Sequence, residues 1–166
     1  MRTSTHRRFA RLRKILLGGA LLAALQVTFA ALTVTENIAP SLGTLLSGAI
    51  DRNFILNTDA TVSGTDAADY LFGAVAGSLT VKKTGGGQSA NILADNFTST
   101  GGVTINAVPC RYHTGSQTIC DSPGITVNVK KNLARTLYVG VDITTNQFHS
   151  GGDTASVTYD ITVSFI

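Results

Sequence analysis

Ser156-Val157-Thr158-Tyr159-Asp160-Ile161-Thr162-Val163-Ser164-Phe165 decides the fold of this chain. Val157, Tyr159, Ile161, Val163 and Phe165 fall on one side of an extended strand, and Ser156, Thr158, Asp160, Thr162 and Ser164 on the other. Side chains alternate with a period of two along a strand, so this pattern gives one apolar face that needs cover and one polar face that tolerates water. A helix would scatter the same residues around its circumference.

Shorter stretches of the same kind precede it. Leu32 and Val34 alternate with Thr33 and Thr35 until Pro40. Phe54–Leu56 is flanked by Asp51 and Asn57, and Leu79 and Val81 alternate with polar neighbours before the Gly85-Gly86-Gly87 turn. Val103–Ile105, Ile125–Val129 and Leu137–Ile143 read as further strands. One helical turn fits within Asp66–Phe72, and nothing longer is supported. Two-faced strands separated by Gly, Asn, Asp and Ser imply an all-β, antiparallel sandwich or barrel.

The first thirty residues differ in kind. Arg2, Arg7, Arg8, Arg11, Arg13 and Lys14 precede an apolar run from Ile15 to Ala24, interrupted by Gly18 and Gly19, and Thr28 and Ala30 supply the small residues of a peptidase site. That order is a secretory signal, with cleavage expected after Ala30; an uncleaved anchor is the alternative. The expected organisation is therefore a signal peptide over 1–30 and one β domain over 31–166. Six of the 13 Lys and Arg lie in the signal and all 10 Asp and Glu lie beyond it, leaving 7 cations against 10 carboxylates, a net charge of about −3. The cations left, chiefly Lys82-Lys83 and Lys130-Lys131, are too few and scattered to bind a phosphate backbone, and are expected to be solvated lysines at strand edges. No nucleic acid partner is expected, and a membrane is met only during export.

Cys110 and Cys120 both follow the cleavage site, and in an oxidising compartment such a pair is expected to bridge, with His113, Gly115 and Ser116 near the tip of the loop. Metal binding competes weakly, since two cysteines and two histidines lack close ligand spacing. Neither metal nor cofactor is expected. Secretion to the periplasm or the extracellular cell surface follows from the signal.

Ser41-Leu42-Gly43-Thr44-Leu45-Leu46-Ser47-Gly48 resembles the early "FGTI…G" strand and turn of a bacterial domain-of-unknown-function family, the one numbered 4402. Leu137-Tyr138-Val139-Gly140-Val141-Asp142-Ile143, with Asn146-Gln147, Gly151-Gly152 and the closing strand, resembles that family's ending. Leu42 stands where the family has an aromatic, and the Cys110–Cys120 loop is not part of its pattern. The resemblance covers the chain beyond the signal and implies a secreted, Ig-like or pilin-like sandwich without enzymatic activity. Phe165 in penultimate position, with Gly152 one residue from the expected glycine, also resembles the ending of chaperone-usher pilins. That similarity implies a periplasmic chaperone and outer-membrane assembly machinery as partners.

Catalysis needs converging groups, and His113 and His149 have no acid and nucleophile in a known arrangement, nor is there a Gly-x-Ser-x-Gly elbow. Asp59, Asp66 and Asp69 gather around Gly64, but their spacing matches no calcium loop, and turn roles are favoured. Asn96-Phe97-Thr98 is formally a glycosylation sequon. The expectation is thus a non-enzymatic structural subunit of a surface filament, pilus or extracellular matrix. It would self-associate by β-strand addition, with Leu32 and Val34 as the donor and Val157, Tyr159, Ile161, Val163 and Phe165 as the strand to be covered. A monomeric adhesive or carbohydrate-binding module using the Asp59–Tyr70 region or the Cys110–Cys120 loop is the alternative.

Overall fold

A computed structural model describes residues 32–46, 48 and 50–166. The expected signal segment and its cleavage site lie outside the described residues. In chain order the strands are β1 (Leu32–Ile38), β2 (Thr44–Leu45), β3 (Asn53–Leu56), β4 (Val62–Ser63), β5 (Tyr70–Phe72), β6 (Gly77–Lys83), β7 (Gln88–Thr100), β8 (Val103–Ala107), β9 (Pro109–Tyr112), β10 (Thr118–Ile119), β11 (Ile125–Val129), β12 (Arg135–Val139), β13 (Val141–Thr145) and β14 (Ser156–Phe165). A 3-10 turn, Ala67–Asp69, falls where one helical turn is expected from the sequence. No helix among the described residues is long and apolar enough to cross a membrane.

The protein is all-β, and its strand pairs are antiparallel. A five-stranded sheet runs β1-β6-β12-β9-β10, a three-stranded sheet β11-β7-β14, a four-stranded sheet β4-β3-β13-β8, and β2 pairs with β5. Alternation builds two cores. Val81, Leu137, Val139 and Cys110 from the five-stranded sheet meet Ala90, Ile92, Ala94 and Val129 from the three-stranded one. Phe54, Leu56, Val103, Val141 and Ile143 form the second core within the four-stranded sheet, covered by Leu42, Leu45 and Ala74. Tyr159 on β14 packs against both. Burying a side chain such as Phe54 contributes roughly 3 kcal/mol, so the cores are where these short strands gain their stability.

Two sequence readings need correction. Leu137–Ile143 is not one strand: Gly140 divides it, and β12 and β13 belong to different sheets. The reason is close approach, because a Cβ at Gly140 would fall on the Leu56 carbonyl oxygen. The Gly140 N–H donates to Pro109 O (2.7 Å), which turns the chain from one sheet to the next. The second correction is β7, at thirteen residues the longest strand yet absent from the sequence reading. It is the central strand of its sheet, with Ala90, Ile92 and Ala94 buried. Asn91, Asp95 and Asn96 are poor strand formers, and they conceal that alternation.

Candidate functional site

The first feature is the edge made by β1. It pairs with β6 from Leu32↔Lys83 to Ile38↔Ser78 and has no second neighbour in its sheet among the described residues. Six of its seven residues are exposed; Leu32 alone is half-buried and touches the first core. Val34 is 37% exposed. The register with β6 is unbroken from Leu32 to Glu36, so Leu32 and Val34 lie on one face of β1. Within the chain this strand lies on β6, while β14 runs along β7.

β14 is the second open edge. Val157, Tyr159, Ile161, Val163 and Phe165 are all half-buried, and the five alternating polar residues are all exposed. The Tyr159 hydroxyl donates to Gly140 O (3.0 Å), and burial, with a smaller contribution from Glu36, pushes its phenol far above the ordinary range. Beside Phe165 stands Lys83, which is buried at 2% exposure and is not the solvated edge lysine expected from the sequence. Lys83 follows Val81 on the inward face; its Nζ donates to Gln88 Oε1 (2.7 Å) and sits 4.3 Å from the Phe165 ring centre. An amide oxygen and a π face replace the water that the ammonium gives up.

The third feature joins two loops. Cys110 and Cys120 are bridged, with Cα atoms 5.8 Å apart, and both are fully buried. Cys110 lies opposite Thr118 in the β9–β10 ladder, and His113 is exposed near the loop tip in a left-handed conformation (φ 55°). Gln117 from this loop accepts from both the Thr58 N–H (2.8 Å) and the Thr58 hydroxyl (2.9 Å), and its amide donates to Asn57 Oδ1 (2.9 Å). The Arg111 guanidinium donates to Thr58 O (3.3 Å) and stacks on Tyr138 at 4.7 Å. No sequence signal links positions 57–58 with 111–117, because the junction is purely tertiary.

The carboxylates beside it stay apart in role. Asp59 accepts from the Thr61 hydroxyl and N–H, and these hold its carboxyl below the usual range. Asp66 is held down likewise by the Asn53 N–H and then the Thr65 hydroxyl, while Asp69 pairs with Arg52 at 2.9 Å. Asp59 fixes its own turn, whereas Asp66 and Asp69 tie theirs to Asn53 and Arg52. Among the described residues no three His, Cys, Asp or Glu side chains group as metal ligands. Asn96 of the sequon gives its amide to Asp160 (2.8 Å).

A cleft of about 590 Å³ lies over the second core, with Phe54, Val103, Val141 and Ile143 at its apolar floor and Arg52 and His149 at its rim. Arg52 is engaged by Asp69, and His149 Nε2 donates to Gly102 O at 3.2 Å. No family model, curated protein or solved structure matches the chain.

Proposed function

We propose that this chain is a structural subunit of a bacterial surface filament, pilus or extracellular matrix, and that it assembles by β-strand addition with β1 as the donor. In this reading the domain is one Ig-like, pilin-like sandwich, exported behind a cleaved signal and handled by a periplasmic chaperone before outer-membrane assembly. The observation that carries it is the state of β1, an edge strand with six exposed residues of seven, tied to its own chain mainly by a backbone ladder. Such a strand gives up little apolar burial of its own on release, since Leu32 alone has substantial burial to lose, roughly 1.5 kcal/mol. The ladder bonds broken on release re-form on β6 of the next copy. Each donation leaves the donor's own β6 open for the previous chain, so the contact is heterologous and propagates. The similarity of Ser41–Gly48 and of the Leu137–Phe165 ending to the family numbered 4402 points the same way.

Leu32→Asp with Val34→Asp is expected to abolish filaments seen by electron microscopy, because a charge at position 32 meets the apolar edge of the core wherever β1 docks. The circular dichroism spectrum and the Cys110–Cys120 bridge should be retained. Filaments that persist in this double variant overturn the donor role of β1.

One observation favours a second reading, an adhesive or carbohydrate-binding module. Gln117 of the Cys110–Cys120 loop bonds Thr58, the residue that precedes the Asp59–Tyr70 region, beside the Arg111–Tyr138 stack. Retention of a glycan by a chain that stays monomeric would support that module instead.

A further inference from the structure

β14 offers an edge that the exchange of β1 does not use. Nine of its positions pair with β7 on one side, and no strand among the described residues pairs on the other. Exposed edges are ordinarily blunted by lysine, proline or a bulge. β14 contains neither Lys nor Pro. The register shift between Thr158 and Asp160 places the extra residue in β7, where Asn96 takes a left-handed conformation (φ 52°), so the alternation of β14 is unbroken. Its sole charge, Asp160, is drawn toward β7 by the Asn96 amide at 2.8 Å.

We propose that β14 is a self-recognition edge: two copies pair their β14 strands antiparallel about a two-fold axis through Ile161, joining two three-stranded sheets into one of six strands. The sequence of the strand selects both the occupant and the register. With Ile161 on the axis, Tyr159 faces Val163 of the second copy and Val157 faces Phe165, so every half-buried apolar residue meets another across the interface. On the exposed face Asp160 meets Thr162 and Thr158 meets Ser164. Moving the axis to Asp160 sets two carboxylates directly opposite one another, which destabilises a strand pair. Moving it to Thr162 shortens the overlap, and an axis between residues sets the apolar face against the polar one. Aromatic and β-branched pairs across the strands then add to the ladder bonds. This contact is isologous and closes on itself, whereas β1 exchange is open, so the two together would cross-link filaments laterally.

The test is the molar mass by sedimentation equilibrium of the Leu32→Asp/Val34→Asp protein, in which β1 exchange is blocked. A concentration-dependent dimer is expected. Adding Thr162→Asp sets a carboxylate against Asp160 of the second copy twice per interface and should weaken the dimer about tenfold. Adding Asp160→Lys to that variant pairs opposite charges and should restore the dimer, with a cooperative thermal melt showing that each variant is folded. A protein that sediments as a monomer at its highest soluble concentration overturns the β14 contact, as does a dimer that neither variant moves. Filaments in this background overturn the β1 reading instead, so the two failures are distinguishable.

Discussion

Gly140→Val is expected to cost about 3 kcal/mol or more, which for a domain of this size lowers the melting temperature by about 10 °C. Three parts of the fold meet at this residue. Its N–H donates to Pro109 O, its carbonyl accepts from the Tyr159 hydroxyl, and the Leu56 carbonyl lies where a Cβ would stand. The blocking atom belongs to the backbone of buried β3, so no side-chain rotation relieves it; either β3 moves or the β12–β13 crossing does. Gly86 is the control. A Cβ there meets nothing within 4 Å, and Gly86→Ala should change stability by less than about 0.5 kcal/mol. Tyr159→Phe removes one hydrogen bond to the same crossing and should cost about 1 kcal/mol. Equal melting temperatures for Gly140→Val and the unaltered protein would show that the two sheets are not joined through this point.

Loss of the Cys110–Cys120 bridge is the second large effect. Closing a loop of ten-residue separation restricts the unfolded chain, worth roughly 3 kcal/mol in the chain-entropy account. Both sulfurs are fully buried against the first core, so Cys110→Ala with Cys120→Ala also leaves unfilled volume there. The fold should survive, because Val81, Ile92, Val129 and Leu137 remain packed. Thermal melts of this double variant should show a transition lowered by about 10 °C yet still cooperative. A melt that matches the bridged protein would mean that the β9–β10 loop is held by its polar contacts to Thr58 instead.

Much of the fold was legible because the physics is local. The alternation in Val157–Phe165 depends on the strand alone, and it reappears as five half-buried and five exposed residues. The cysteine pair was legible from its short spacing and the expected compartment. What was hidden depends on distant partners. Gly140 reads as an ordinary strand residue until Leu56 is brought against it, Lys83 reads as a solvated charge until Phe165 and Gln88 surround it, and β7 carries its apolar residues among asparagines that disguise a central strand. Alternation put Leu32 and Val34 on one face of a strand, but only the fold gives that strand its intramolecular partner, β6.

That partnership provides the most direct measurement. Thr33 and Lys82 lie opposite one another in the β1–β6 ladder, and both are exposed. In a Thr33→Cys/Lys82→Cys protein, a bridge between the new cysteines reports which chain's β1 lies on which chain's β6. Filaments assembled under reducing conditions and then oxidised should give a ladder of covalent multimers on a denaturing, non-reducing gel. Protein oxidised before assembly should form no filaments, with β1 locked to its own chain. A single band at the mass of one chain from oxidised filaments, or unhindered assembly of the locked protein, would contradict strand exchange by β1.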